Sequence, residues 1–310
     1  MLGRNPTILI GEPSSGKSTF LNVLIGDRIL PSHRLHTTAS LYRLHKSVNK
    51  KINRIVINKI VKSITLKEHS SDLRRELESI AKKLLSKDTD EKPLKVIDIY
   101  WPISSLHANV VLVDTTGTGE RDAITKQVAE FVPKCAGYIF VIDSSSSAVG
   151  VQYSGIRQLI EAIAVTTSNK DHINNLTNAI FVCNKWDLVQ IQDREAVLED
   201  IKREISKYYG QLKDWQIVQF NADLDLKLLE RKANPTDNFK LFLERLDKLM
   251  SRAIETRLRD KYRWLHEFTI GVHGFVTVRI KAAELSNEQV QLEIKKAKTC
   301  IYTLATELDQ

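Results

Sequence analysis

Apolar residues change their spacing once along the chain. Up to residue 220 they come in short unbroken runs: Thr7-Ile8-Leu9-Ile10, Asn109-Val110-Val111-Leu112-Val113, residues 136–143, Ala179-Ile180-Phe181-Val182-Cys183 and residues 215–220. Such runs, bounded by polar or Gly/Pro clusters, read as strands buried on both faces, the mark of a parallel sheet. Helical spacing separates them at 16–25, 123–132, 153–165 and 193–208, the last with Leu198, Ile201, Ile205 and Tyr208 on one face. Alternation of this kind predicts an α/β fold, a mostly parallel sheet with helices on both faces. From residue 238 the apolar positions recur every three or four: Phe239, Leu243, Leu246, Leu249 and Met250. After an expected break at Gly271–Gly274 the stripe resumes through Ile280, Leu285, Val290, Ile294, Ile301 and Leu304. This helical segment is expected to use its stripes for core or helix–helix packing.

Between the two regimes' first members lies a different stretch, residues 47–93. Strand-like alternation at 52–57 gives way to a helical pattern at 71–85, with Leu73, Leu77, Ile80 and Leu84 at helical spacing. It reads as an insertion of one helix with flanking extended pieces. Residues 41–87 hold thirteen Lys/Arg against four Asp/Glu, so this segment accounts for the whole chain's net charge of +8. A basic segment can draw anionic lipid or nucleic acid to a surface, although most such runs are simply solvated faces. It lacks the interleaved aromatics of a nucleic-acid-binding module, which disfavours that partner. With 42% hydrophobic and 27% charged residues the composition is that of a globular protein. No run of eighteen apolar residues and no signal-peptide order is present, so neither membrane spanning nor secretion is expected. Cys135, Cys183 and Cys300 are odd in number and widely spaced, which reads as reduced side chains of a cytoplasmic protein.

The candidate chemistry begins at Gly11-Glu12-Pro13-Ser14-Ser15-Gly16-Lys17-Ser18, the pattern G-x-x-x-x-G-K-S between a strand and a helix. Glycines let backbone N–H groups turn inward around phosphate oxygens, and the helix adds the positive end of its dipole. Lys17 is suited to the β- and γ-phosphates and the Ser18 hydroxyl to Mg²⁺. An ordinary Gly/Ser turn would not place a lysine at a helix N-terminus, where its charge is unfavourable without an anion. The fold class is therefore read as that of a P-loop NTPase.

Three further signatures follow in order. A polar, Pro-broken loop ends at Thr37-Thr38; a hydroxyl there can reach Mg²⁺, with Thr38 taken first and Thr37 as the alternative. Asp114-Thr115-Thr116-Gly117 follows a buried strand, so Asp114 can hold the metal's water shell and the Gly117 N–H can bond the γ-phosphate. Asn184-Lys185-Trp186-Asp187 stands at another strand end. Asp187 can accept from guanine N1–H and the 2-amino group, which adenine does not offer, while Asn184 ties the loop to the phosphate loop and the Lys185 stem covers the base. Asn221 or Ala222 then offers a backbone N–H to the guanine O6.

These motifs resemble those of the dynamin superfamily, nearest to its mitofusin and bacterial dynamin-like branch. The resemblance is carried by residues 14–19 with Asn22, by Leu30-Pro31-Ser32, by His36-Thr37-Thr38, by Trp186 within its motif, and by the long separation of Thr38 from Asp114. It covers about residues 1–235, a dynamin-type GTPase domain (G-domain), with residues 236–310 as part of a neck or stalk. It implies a GTPase with GTP and GDP as substrate and product and Mg²⁺ as cofactor. Nucleotide contacts then fall on Gly11, Ser14, Ser15, Gly16, Lys17, Ser18, Thr19, Asn184, Lys185, Asp187, Asn221 and Ala222. Catalysis falls on Ser14, Lys17, Thr38 and Gly117, and metal binding on Ser18, Thr38 and Asp114. It also implies heads that pair across the nucleotide, remodelling of membranes, and membrane contact through further sequence or the basic insertion.

Three features depart from the family's pattern: Thr116 where a proline is usual, Pro13 where other branches carry glutamine, and no glutamine after Gly117. The chain also starts almost at its first strand and stops before a long stalk, and so reads as a shortened or partial member. A non-hydrolysing GTP-dependent switch is the competing reading.

Overall fold

The computed structural model describes residues 5–12, 14–30, 40–56, 59–65, 75, 95–103, 106, 110–114, 135, 137–145, 178–284 and 287–308. They form two compact units, residues 1–255 and 256–310. The first is built on a nine-stranded sheet of order β4-β3-β5-β2-β6-β1-β7-β8-β9. Its strands are β1 (Asn5–Ile10), β2 (Ser40–Lys46), β3 (Lys51–Val56), β4 (Lys59–Thr65), β5 (Lys95–Trp101), β6 (Val110–Asp114), β7 (Gly137–Asp143), β8 (Ala179–Asn184) and β9 (Ile217–Gln219). The described helices are α1 (Lys17–Ile25), α2 (Arg194–Tyr209), α3 (Ala222–Glu230), α4 (Asp237–Glu284) and α5 (Asn287–Leu308).

The five strands β6-β1-β7-β8-β9 are all parallel, as the unbroken apolar runs require. Beyond β6 the sheet changes character, because β2 runs antiparallel to β6 and β3 antiparallel to both β5 and β4. Lys59–Thr65 is therefore a strand of its own that closes a hairpin with β3, where the sequence suggested only an extended piece. Apart from Arg75, which is helical, the helix expected at 71–85 lies outside the described residues, as do those expected at 123–132 and 153–165.

Side chains alternate across the parallel strands and divide the core in two. Leu9, Leu112, Ile139 and Val182 pack under α1, α3 and the first turns of α4, where Phe20 meets Phe220 and Phe242 edge-on at centroid distances of 5.1 and 4.8 Å. Ile8, Ile10, Val113, Phe140 and Phe181 face the other way and are covered by Ile201 and Ile205 of α2. Tyr209 packs edge-on against Phe181, a residue that the helical pattern had not placed on the buried face. The first helix is not amphipathic. Every residue from Phe20 to Ile25 is buried, because the helix is covered by more than the sheet alone.

Helix α4 runs unbroken through Gly271 and Gly274, contrary to the expected break. Helical geometry tolerates each glycine at a cost of about 1 kcal/mol relative to alanine. The interruption comes after Glu284 instead. Within the second unit, Trp264, Phe268, Phe275 and Ile280 of α4 and Ile294 and Ile301 of α5 are exposed, so the expected packing of this stripe is not found among the described residues. No helix among the described residues is long and apolar enough to cross a membrane.

Cys135 and Cys183 are buried and Cys300 is exposed. Burial pushes the Cys183 thiol up to about 12, against the opposing pull of the Ser144 hydroxyl and the Lys202 charge. A thiolate is the reactive form. The native chain is expected to release one equivalent of thionitrobenzoate with Ellman's reagent, and three equivalents after denaturation in guanidinium. A second fast equivalent in the native protein would contradict the placement of Cys135 or Cys183.

Candidate nucleotide site

The carboxyl ends of β1, β6, β7 and β8 converge where the strand order turns back on itself, the place at which open parallel sheets hold ligands. The loop from β1 to α1 lies there. Its shape depends on backbone that few residues can adopt: Ser14 has φ 62° and Gly16 φ 93°, both left-handed. A Cβ at Gly16 would stand 2.2 Å from Asn184 Nδ2, and one at Gly11 2.3 Å from the Val141 carbonyl oxygen. Both positions therefore exclude any side chain. Gly16 is the N-cap of α1 and offers no side-chain cap, and the first turn holds no acid. The helix N–H groups are thus left for an anion.

Lys17 donates to the carbonyl oxygens of Gly11 at 2.8 Å and Glu12 at 2.9 Å, so its ammonium spans the loop it would serve. Ser18 Oγ donates to Asp114 Oδ2 at 3.1 Å. The other carboxylate oxygen, Asp114 Oδ1, is buried and has no hydrogen-bond partner among the described residues, as is Ser15 Oγ. Burial pushes the Asp114 carboxyl up to about 6, with the Lys17 charge and the Ser18 hydroxyl opposing. A buried, unsatisfied carboxylate oxygen beside a hydroxyl is a hard, oxygen-only donor set of the kind Mg²⁺ takes. The residues present therefore fit that ion. Ser14 is exposed and Thr19 half-buried in the first turn of α1.

The buried Asn184 side chain ties the turn after β8 to the loop after β1. Asn184 Nδ2 donates to the Ser15 carbonyl at 2.8 Å, and Asn184 Oδ1 accepts the Ala222 N–H at 3.1 Å. The Trp186 N–H donates to the Phe220 carbonyl at 3.1 Å, which binds this turn to the end of β9. Lys185 has φ 59°, which lets Asn184 point inward while Asp187 stands exposed at the surface. The Lys185 ammonium pairs with Asp143 at the end of β7. Asn221 spends its side chain capping α3, accepting from the Leu224 N–H at 3.0 Å. Because the Ala222 N–H already serves Asn184, it would reach a base oxygen only as a shared donor.

Of the site residues expected from the sequence, Gly11, Ser14, Ser15, Gly16, Lys17, Ser18 and Thr19 lie on the loop after β1 and the first turn of α1, Asp114 ends β6, Asn184, Lys185 and Asp187 lie at and just after the end of β8, and Asn221 and Ala222 begin α3. Thr37, Thr38 and Gly117 lie outside the described residues. Two contributors went unread. Asn22, quoted only as part of a motif, is buried and accepts from the Ile29 and Leu30 N–H groups while donating to the Leu30 carbonyl, which fixes the start of the loop leading to Thr38. Asp143 gave one signal, an acid at the carboxyl end of an apolar strand, and it anchors both Lys185 and Ser145.

A model of the dynamin family matches residues 8–185. The chain belongs to the dynamin family. Members of this family are GTPases, and the mostly parallel sheet with its helices is the fold of a dynamin-type G-domain. The chain is 25% identical over 192 residues to an uncharacterized protein from the xynA 3′ region of Caldicellulosiruptor sp. strain Rt8B.4, covering 62% of this chain and 42% of that protein. It is also 25% identical over 229 residues to the bacterial dynamin-like protein of Nostoc punctiforme, covering 70% of this chain and 29% of that one. A solved structure of an oligomerised bacterial dynamin pair, described as providing a mechanism for the long range sensing and tethering of membranes, superposes with a TM-score of 0.50 at 16% identity. That match covers 99% of this chain and 48% of the other. The dynamin-family chain thus spans less than half the length of each of these relatives.

Proposed function

We propose that this chain binds Mg²⁺·GTP and hydrolyses it to GDP and phosphate. The observation that carries the reading is the Asn184 bridge, which ties a cradle for phosphate to a turn that presents Asp187 beside the place of the base. In the reaction a water oxygen attacks the γ-phosphorus in line. The bond from that phosphorus to the β–γ bridging oxygen breaks, its electron pair stays on GDP, and the water proton leaves with the phosphate and solvent. Lys17 and the N–H groups of the phosphate loop hold the charge that gathers on the transferring group. Ser18, Asp114 and Thr38 are the residues that would hold Mg²⁺, which when bound would neutralise phosphate charge.

The family membership and the self-associating relative support a second element, pairing of two heads by two-fold symmetry when GTP orders the Thr38 and Gly117 loops. We assign the chain to the cytoplasmic side of a membrane on the same basis. The net positive charge of residues 41–87 is the feature that would draw anionic lipid. The departures at Pro13 and Thr116 favour a second reading, in which GTP only sets the conformation of these loops.

Single-turnover hydrolysis separates the two. Activity per molecule is expected to rise with protein concentration, and sedimentation to show a larger species with a transition-state mimic than with GDP. Absence of phosphate release at every concentration, with GTP retained, would establish the switch instead.

A further inference from the structure

The nucleotide reading leaves one group beside the metal site without a task. Tyr42 lies on β2 directly opposite Asp114 on β6, and Leu44 opposite Leu112, in the antiparallel register. Residues opposed across two strands share a face of the sheet. Tyr42 accordingly belongs to the same core as Leu112, Leu9 and Phe20, the side on which α1 brings Ser18 to Asp114. Both residues are sealed, with Tyr42 1% and Asp114 2% exposed. Tyr42 Oη has no hydrogen-bond partner among the described residues, and neither has Asp114 Oδ1.

Two unsatisfied polar atoms on facing residues are an unusual pairing. Each costs about 1–3 kcal/mol if nothing completes it. Phenylalanine would fill the same volume in this apolar core without that cost, so packing does not explain the hydroxyl. The two groups also sense each other. Burial raises the Tyr42 phenol above its usual range, and the negative charge of Asp114 raises it further, which keeps Tyr42 protonated as a donor. The donor that lacks an acceptor thus belongs to the residue opposite the one whose acceptor lacks a donor.

We propose that Tyr42 is a positioning residue of the metal site. Its hydroxyl completes Asp114 Oδ1 through one bridging water, and so sets how the carboxylate is presented next to Ser18. The proposal rests on the reading of this crevice as a Mg²⁺·nucleotide site. Its effect is on metal affinity and not on the fold, since β2 and the core keep every apolar contact when the hydroxyl is removed.

The test is Tyr42→Phe in the full chain, read with a fluorescent N-methylanthraniloyl-GDP. The Mg²⁺ concentration that half-retains the nucleotide is expected to rise about five- to tenfold, the loss of one hydrogen bond's worth of positioning. Nucleotide affinity in EDTA and the melting temperature of the nucleotide-free chain are expected to stay the same, or the latter to rise. In an Asp114→Asn background the Tyr42→Phe change should add nothing, because its route of action is gone. A Mg²⁺ midpoint equal to that of the unaltered chain overturns the proposal, and so does an equal loss in EDTA, which would mark a purely structural role. If the unaltered chain retains the nucleotide independently of Mg²⁺, the reading of Ser18 and Asp114 as a metal site falls and the proposal with it, and if it retains no nucleotide at all the nucleotide reading falls, both outcomes visible before any variant is made.

Discussion

Lys17→Ala is expected to yield a folded chain that retains neither GTP nor GDP. In the nucleotide-free protein the ammonium is held at the mouth of α1 by the carbonyl oxygens of Gly11 and Glu12. Those two acceptors bring a positive charge to a helix N-terminus that would otherwise repel it, and phosphate repays that arrangement. Hydrogen bonds to charged groups contribute about 1.5–3 kcal/mol each, so losing two phosphate contacts lowers affinity by on the order of a hundredfold or more. Hydrolysis should fall further, by roughly 10²–10³, because the same charge is needed most when it gathers in the transition state. Fold is checked by the melting temperature without nucleotide, which should move by no more than a few degrees. Calorimetry showing undiminished GTP affinity in a folded variant would remove Lys17 from the phosphate site.

Asp187→Asn should move base preference from guanine towards xanthine. The side chain stands exposed at the head of the short turn Trp186–Leu188, held there by left-handed Lys185 and by the Trp186 N–H on the Phe220 carbonyl. A carboxylate accepts from the guanine N1–H and 2-amino group; an amide can donate to the 2-oxo group of xanthine. Two charge-assisted bonds of about 1.5 kcal/mol each correspond to roughly a hundredfold loss for GDP. Competition between guanosine and xanthosine diphosphates for the fluorescent analogue reads the switch. A variant that still prefers guanine by the original ratio would show that another residue reads the base.

The role of Asn184 shows why such turns are legible as words but not as sentences. The tetrapeptide announced a base-reading loop, and the pattern G-x-x-x-x-G-K-S announced a phosphate loop. That Asn184 Nδ2 fills the very space a side chain at Gly16 would need is a fact of two residues 168 positions apart brought together by β1, β7 and β8. Gly16 is obligatory for its left-handed backbone, which a local reading anticipates, and also for this contact, which it does not.

What the sequence determined by itself was the succession of buried strands, the parallel half of the sheet and the left-handed glycine of the loop after β1. Unbroken apolar runs and phosphate-binding backbone are local properties, set by side-chain solubility and by which residues tolerate positive φ. Tertiary structure alone decided the rest: the antiparallel hairpin β3–β4, the anchoring of Lys185 by Asp143, and the burial of Tyr42 opposite Asp114. Each depends on register or on a partner distant in sequence. A polar residue in a strand reads the same whether its hydroxyl meets water or a buried carboxylate, and only the strand beside it makes the difference.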